Sequence, residues 1–260
     1  MRFCSLGSGS SGNATLIEAH DGHAVCRVLV DCGLSLRELT RRLGERGCTP
    51  GELSAVFVTH EHSDHVGCVT ALMRRHGVPV WMSEGTWRGF AREHAPPPQL
   101  RFARDGEPIA VGAGLQLRPY SVPHDAYEPL QLTVDDGRRR LGVLTDAGVP
   151  TDRIVSELAG CTALLLECNH DLDLLADSDY PLFLKRRIAG PRGHLSNPSA
   201  ATILGRCLHA GLKHVVAAHL SERNNRPALA AATLAQVLGT PADEVVVADP
   251  RLGSPWLDLH

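Results

Sequence analysis

Six consecutive residues, His60-Glu61-His62-Ser63-Asp64-His65, place three imidazoles and the carboxylate of Asp64 within a short stretch of chain. Imidazole nitrogen and carboxylate oxygen together suit zinc and related divalent ions. Two imidazoles packed beside a carboxylate with no cation would leave costly polar groups to satisfy, so this density argues for metal binding. Four donors at this spacing can serve two ions, with His60 and His62 pointing one way and Asp64 and His65 another. Further donors lie far along the chain at Asp31, His124, Asp146, His170 and His219. Taken singly they are ambiguous. His124 and His219 equally fit hydrogen-bonded imidazoles, and Asp31 and Asp146 equally fit caps of the helix or turn that follows.

What unites them is position along the secondary structure. Val28 to Val30 reads as a strand ending at Asp31, and Ala55 to Thr59 as a buried strand ending at His60. Leu115 to Val122 alternates like a half-buried strand and runs into His124. Strands over 130–134 and 140–144 form a hairpin across Asp136-Gly137, with Asp146 just beyond. Strands over 163–168 and 215–218 lead to His170 and His219. In sheet-based α/β enzymes this strand edge collects ligands and catalytic groups. Between the strands, Ser35 and Glu38 form a capping-box pattern ahead of Leu36, Leu39 and Leu43, with Gly47 as a stop. Helices are also expected over 66–75, within 83–98 where Pro96-Pro97-Pro98 closes the segment, from Thr151 to Leu158, from Ser196 to His209, and near the C-terminus, with a strand over 79–82.

Composition narrows the class. The chain has 260 residues, 43% hydrophobic and 21% charged, which excludes a disordered protein and predicts one α/β domain over 1–260. The longest apolar runs are strand-sized, so no membrane span is expected. The N-terminus has no apolar segment of the secretory type, and a cytoplasmic location is expected. Eight cysteines with no C-x-x-C pair read as free buried thiols. A net charge of −3 gives no global basic field, so contact with nucleic acid must be local. No repeat is evident.

The stretch from Thr59 to His65 carries the H-x-H-x-D-H signature and resembles the metallo-β-lactamase fold. Asp31 in Asp-Cys-Gly, His124, Asp146 in Leu-Thr-Asp-Ala-Gly and His219 in Ala-His-Leu-Ser follow in that family's order. Narrower features are similar to the YycJ/WalJ subgroup of bacterial 5′-to-3′ exonucleases. They are Leu6-Gly-Ser-Gly-Ser-Ser-Gly-Asn13, Val122-Pro-His-Asp125, Glu167-Cys-Asn-His-Asp171, Gly193-His-Leu-Ser-Asn197 and His219-Leu-Ser-Glu-Arg-Asn-Asn225. The resemblance implies a four-layer αββα sandwich. The stretch between Asp146 and His219 is too short for the β-CASP insertion of larger nuclease relatives.

It also implies a ligand set. His60, His62 and His124 would hold one divalent ion, Asp64, His65 and His219 a second, and Asp146 would bridge them. Asp31 would orient a ligand imidazole. Zinc suits these donors best, with manganese or iron as alternatives. The resemblance implies a two-metal phosphodiesterase acting on nucleic acid, here a 5′-to-3′ DNA exonuclease, with a bridging hydroxide as nucleophile. Asp64 and His194 are the candidate catalytic residues, His194 assisting departure of the leaving oxygen. The same scaffold could serve RNA 3′-processing, cyclic phosphodiesters, thioesters or lactones, or a non-catalytic nucleic-acid-binding module.

Beyond the metals, Ser11 and Asn13 in the Gly/Ser-rich segment could meet a phosphate, and equally fit a tight turn between the first two strands. Asn169, His170, Asn197 and Arg223 are further candidate phosphate contacts. Lys185-Arg186-Arg187, Arg192 and Arg226 could track a sugar-phosphate backbone or form a solvated charged face. A homodimer could assist substrate capture.

Overall fold

The computed structural model of the protein describes residues 1–91, 95–112 and 114–260. Its strands form two seven-stranded mixed sheets. The first contains β1 (Arg2–Gly7), β2 (Ala14–His20), β3 (Val25–Val30), β4 (Ala55–Phe57), β5 (Val80–Met82) and β6 (Leu100–Phe102), with β14 (Leu257–Asp258) outside β1. The second runs, in sequence order, β7 (Ile109–Gly112), β8 (Leu115–Ser121), β9 (Leu130–Asp135), β10 (Arg140–Leu144), β11 (Ala163–Glu167), β12 (His214–Ala218) and β13 (Val246–Val247). In both sheets the later strands pair in parallel: β3 to β6 in the first, β10 to β13 in the second.

Period-two alternation of apolar side chains assigns each sheet two buried faces. Phe3, Ile17, Val28, Val30 and Phe57 meet Leu117, Leu132, Val134, Val143, Leu165 and Val216 in a core between the sheets. The intervening residues Cys4, Leu6, Leu16, Leu29 and Val56 face outward, toward α1 (Leu36–Glu45), α3 (Val69–His76) and α4 (Glu84–Ala91). On the opposite side Leu164, Leu166, Val215 and Ala217 pack against α5 (Asp152–Leu158), α8 (Asn197–Cys207) and α9 (Pro227–Leu238). The architecture is the expected four-layer αββα sandwich. Three short helices, α2 (Ser63–Val66), α6 (Leu172–Asp177) and α7 (Leu182–Ile188), complete the set.

Local rules explain most element ends. The Ser35, Thr151 and Ser196 side chains accept from the backbone N–H of Glu38, Ile154 and Ser199 and start α1, α5 and α8. The expected capping box at α1 is only half formed, because the Glu38 carboxylate turns to Arg41 and Arg42. The hairpin at Asp136 forms as expected, its side chain accepting from the N–H groups of Arg138 and Arg139. The single helix expected over 66–75 is instead α2 and α3, separated at Gly67 and Cys68. Of the helix expected over 83–98, α4 covers Glu84–Ala91, and residues 92–94 lie outside the described residues. All eight cysteines are free and buried. No helix among the described residues is long and apolar enough to cross a membrane.

Candidate metal centre

The parallel runs place the C-terminal ends of β3 and β4 in one sheet beside those of β10, β11 and β12 in the other. Asp31 follows β3, His60 follows β4, His124 follows β8, Asp146 follows β10 and His219 follows β12. Donors nearly two hundred residues apart therefore converge at one edge of the sandwich.

Two half-sites result. In the first, His60 Nε2 lies 3.0 Å from His62 Nδ1, and His124 Nε2 lies 3.4 Å from that same nitrogen. Thr59 Oγ1 at 3.0 Å and the Gly193 carbonyl at 3.0 Å hold the far nitrogens of His60 and His124. Burial pushes His60 well below the ordinary imidazole range, reinforced by the neighbouring imidazoles, and burial lowers His124 as well. Both therefore present neutral lone pairs, the state a metal requires.

The second half-site is rich in carboxylates. Asp64 Oδ2 lies 3.5 Å from both His65 Nε2 and His219 Nε2. Asp146 spans the halves, with Oδ2 3.3 Å from His65 Nε2, and Oδ1 3.4 Å from His219 Nδ1 and 3.8 Å from His124 Nε2. Burial alone would lower His219, but the carboxylates of Asp146, Asp64 and Glu167 outweigh it and lift it to about 10. Within each of the triads His60/His62/His124, His60/His65/Asp146 and Asp64/His65/His219, the candidate ligand atoms lie within 4.8 Å of one another.

Positioning comes from the backbone behind these groups. Asp31 accepts from the Thr59 N–H at 2.8 Å and from His65 Nδ1 at 2.8 Å, which turns His65 Nε2 toward the cleft. Among the described residues, Asp31 and His219 are the non-glycine residues with positive φ, at 61° and 54°. Left-handed backbone costs a non-glycine residue about 1 kcal/mol or more. At Asp31 a bond from its own N–H to the Phe57 carbonyl offsets this, and at His219 a bond from its N–H to Ser8 Oγ at 2.7 Å does so. Gly33 lets the loop after β3 cross directly against the Asp64 carbonyl, where a Cβ would overlap it.

The donor set fits metal. Asp146 Oδ2 and His219 Nε2 are buried atoms that lack a hydrogen-bond partner among the described residues, and both face this cluster. Buried polar atoms are rarely left unpaired, and a cation satisfies both.

Behind the second half-site lies Glu167, which the sequence reading noted only as part of a motif. It closes β11 and is fully buried. Its Oε1 accepts from His194 Nδ1 at 2.7 Å and His219 Nδ1 at 3.3 Å, while Oε2 accepts from the N–H groups of Ala147 and Leu195. Burial would raise this carboxyl, but the two imidazoles outweigh it and hold it at about 2. The available signal was a carboxylate ending the otherwise apolar run Ala163-Leu164-Leu165-Leu166. His194 sits between His124 and His219, with ring centroids 5.2 and 5.4 Å away, and its side chain is partly open to solvent.

The other candidate phosphate contacts distribute differently. Asn13 is buried against the donors, 3.3 Å from Asp64 Oδ2 and 3.1 Å from His65 Nε2, not at the mouth. Asn169 donates to the His219 carbonyl, and Asn197 pairs with Asn225, so both side chains brace loops. His170 is buried, its Nδ1 unpaired, and burial lowers it to about 4. These three lie behind the site because the strand-end loops fold back on one another. Ser11 and Arg223 are exposed.

With this geometry in place, comparison with known proteins is decisive for the family. A family model described as "Beta-lactamase superfamily domain" matches residues 26–220. The chain belongs to the β-lactamase superfamily. Within it, the Exodeoxyribonuclease YycJ of Bacillus anthracis is 32% identical over 241 residues, covering 92% of this chain and 89% of that protein. The Exodeoxyribonuclease WalJ of Streptococcus pneumoniae is also 32% identical, over 91% of this chain and 88% of its own. The metallo-β-lactamase fold protein YhfI of Bacillus subtilis superposes with a TM-score of 0.75 at 17% identity, over 99% of both chains. Membership and the donor cluster together make this β-lactamase superfamily chain a metal-dependent hydrolase.

Proposed function

We propose that the protein is an exonuclease of the 5′-to-3′ type acting on DNA, and that residues 1–260 work as one hydrolase unit. The observation that carries this reading is the hydrogen bond from the partly open His194 to the buried Glu167, set against the two half-sites, in a chain 32% identical to proteins named exodeoxyribonucleases. His60, His62 and His124 would hold one divalent ion and Asp64, His65 and His219 the other, with Asp146 available to both. Zinc matches the mixed nitrogen and oxygen donors best. Bound there, divalent ions supply charge to a phosphoryl oxygen and a water activated at neutral pH.

The chain's own groups do the rest. Glu167 is ionised and therefore accepts only, so His194 Nδ1 must donate to it, and Nε2 is left on the cleft side. Protonated at Nε2, His194 is placed to give its proton to the departing sugar oxygen. The same carboxylate accepts from His219 Nδ1, so Nε2 would present a lone pair to an ion that displaced its proton, the tautomer a ligand needs. Asp31 does this for His65.

The test is release of label from single- and double-stranded DNA and RNA carrying fluorophores at the 5′ or 3′ end, with zinc- and manganese-loaded protein. Mononucleotides leaving from the 5′ end of DNA are expected. Release only from RNA, release from the 3′ end, or no release at all would each overturn the assignment.

A further inference from the structure

A second feature lies on the rim of the same cleft. Helix α7 buries none of its residues, and Leu182 and Phe183 are 61% and 73% exposed. A short helix with two large apolar side chains in water is an unusual surface, since isolated short helices draw most of their stability from packing. The charges of α7 are basic: Lys185, Arg186 and Arg187 form its last turn.

The helix is tied to the metal centre. Arg187 Nε donates to Asp125 Oδ2 at 2.5 Å, and Asp125 Oδ1 lies 3.5 Å from His124 Nε2. Phe183 is four residues before Arg187, so the two share one face of α7, about 6 Å apart at Cβ. On the other side of Asp125, Tyr127 is 76% exposed, and its N–H donates to Glu61, between His60 and His62. Where α7 begins, the Arg223 guanidinium lies 5.8 Å above the Tyr180 ring. Only three aromatic residues rank among the exposed large hydrophobics of the described chain, Phe102, Tyr127 and Phe183, and two of these flank the Asp125–Arg187 pair.

We infer that Phe183 and Tyr127 form a base-stacking ledge for single-stranded nucleic acid entering the cleft, with Arg187, Arg192 and Arg223 meeting its phosphates. Alternation of exposed rings with guanidinium groups matches what an unpaired strand offers, a π-face on each base and a charge on each linkage. Arg192 reinforces the arrangement by donating from Nε to the His124 carbonyl, which keeps its guanidinium at the mouth. The ledge rests on the nucleic-acid reading of the site and deepens it: the preferred substrate has an unpaired end of a few nucleotides.

The test is fluorescence anisotropy with a 12-nucleotide phosphorothioate DNA strand, its blunt duplex and an abasic strand of equal length, using wild type, Phe183→Ala, Tyr127→Ala and Phe183→Trp. Each alanine variant is expected to lose about 5-fold or more in affinity for the single strand. The loss should be absent on the abasic strand, and Phe183→Trp should retain affinity. Thermal melting checks that these exposed substitutions leave the fold intact. If wild type cleaves DNA but the alanine variants bind the single strand as wild type does, or lose equally on the abasic strand, the ledge is wrong and the exonuclease reading stands. If wild type neither binds nor cleaves any nucleic acid, both fall. A wild-type dimer in sedimentation velocity that Phe183→Ala dissociates would show α7 to be an interface between copies, and would overturn the ledge.

Discussion

Glu167→Gln is a near-isosteric change whose consequences can be worked from four hydrogen bonds. Oε2 accepts from the N–H groups of Ala147 at 2.9 Å and Leu195 at 3.2 Å, and Oε1 accepts from His194 at 2.7 Å and His219 at 3.3 Å. A glutamine has one acceptor oxygen. Keeping it on the two buried backbone donors turns the amide NH2 toward both imidazoles, and each Nδ1 must then become an acceptor. For His219 this moves the proton to Nε2, the atom that faces Asp64 and the proposed ion. For His194 it removes the anion that supports a protonated ring. Loss of such a supporting carboxylate typically costs 10–100-fold in metal affinity, or about 1.4–2.7 kcal/mol. Competition with a chromophoric chelator measures that affinity directly, and circular dichroism confirms the fold. Glu167→Ala would confuse the matter, since it also strands two buried N–H groups at about 1–3 kcal/mol each. Wild-type metal affinity together with wild-type turnover in Glu167→Gln would refute the tautomer argument.

Three further outcomes are expected. His194→Ala should retain metal while phosphodiester turnover falls roughly 10²–10⁴-fold; a stoichiometric metal content with unchanged nuclease rate would remove His194 from the reaction. Chelation should lower the melting temperature by about 5–10 °C, since saturation at 100 times Kd contributes about 2.7 kcal/mol and each kcal/mol moves a chain of this size by about 2–4 °C; readdition of zinc should restore it, and an unaltered melting curve would argue against a resident ion. Away from the site, hydrogen bonds from Arg41 and Arg42 hold the Glu38 carboxyl at about 2. A depressed carboxyl contributes stability above its unfolded pKa and loses it as pH falls toward the folded value, so Glu38→Gln should flatten the decline in melting temperature between about pH 4.5 and 2. Because Glu38 is partly exposed, its contribution is at most about 0.5 kcal/mol. An identical acid decline in the variant would contradict the assignment.

The donors readable in the sequence were those delivered by strands with strong apolar signatures. Ala55 to Thr59 and Val215 to Ala218 are short, β-rich and abruptly followed by histidine, so the strand edge could be inferred before any fold was known. Glu167 escaped as a functional residue because a carboxylate at the end of a strand is ordinarily solvated; only the convergence of His194 and His219 from other loops explains its burial. Asn13 was expected at a phosphate from its glycine- and hydroxyl-rich segment, Asn169 from its place just after a strand, and Asn197 from its motif with His194. Such segments also supply the short side chains that bind loops to one another, and sequence does not separate the two uses. Helices α6 and α7 were not anticipated, since six- and seven-residue segments with little buried surface leave no periodic signal.

The two left-handed non-glycine residues among the described residues, Asp31 and His219, follow strands of different sheets, and each owes its conformation to partners elsewhere in the chain. The Ser8 hydroxyl that receives the His219 N–H comes from the loop between β1 and β2, in the opposite sheet. The Phe57 carbonyl that holds Asp31 lies in the same sheet, so a chain in which the sheets have formed separately keeps that conformation but has little reason to adopt the one at His219, whose Nε2 would point elsewhere. Hydrolytic competence is thereby withheld until the halves have docked, so a partly assembled chain would carry its histidines without being able to cut anything with them.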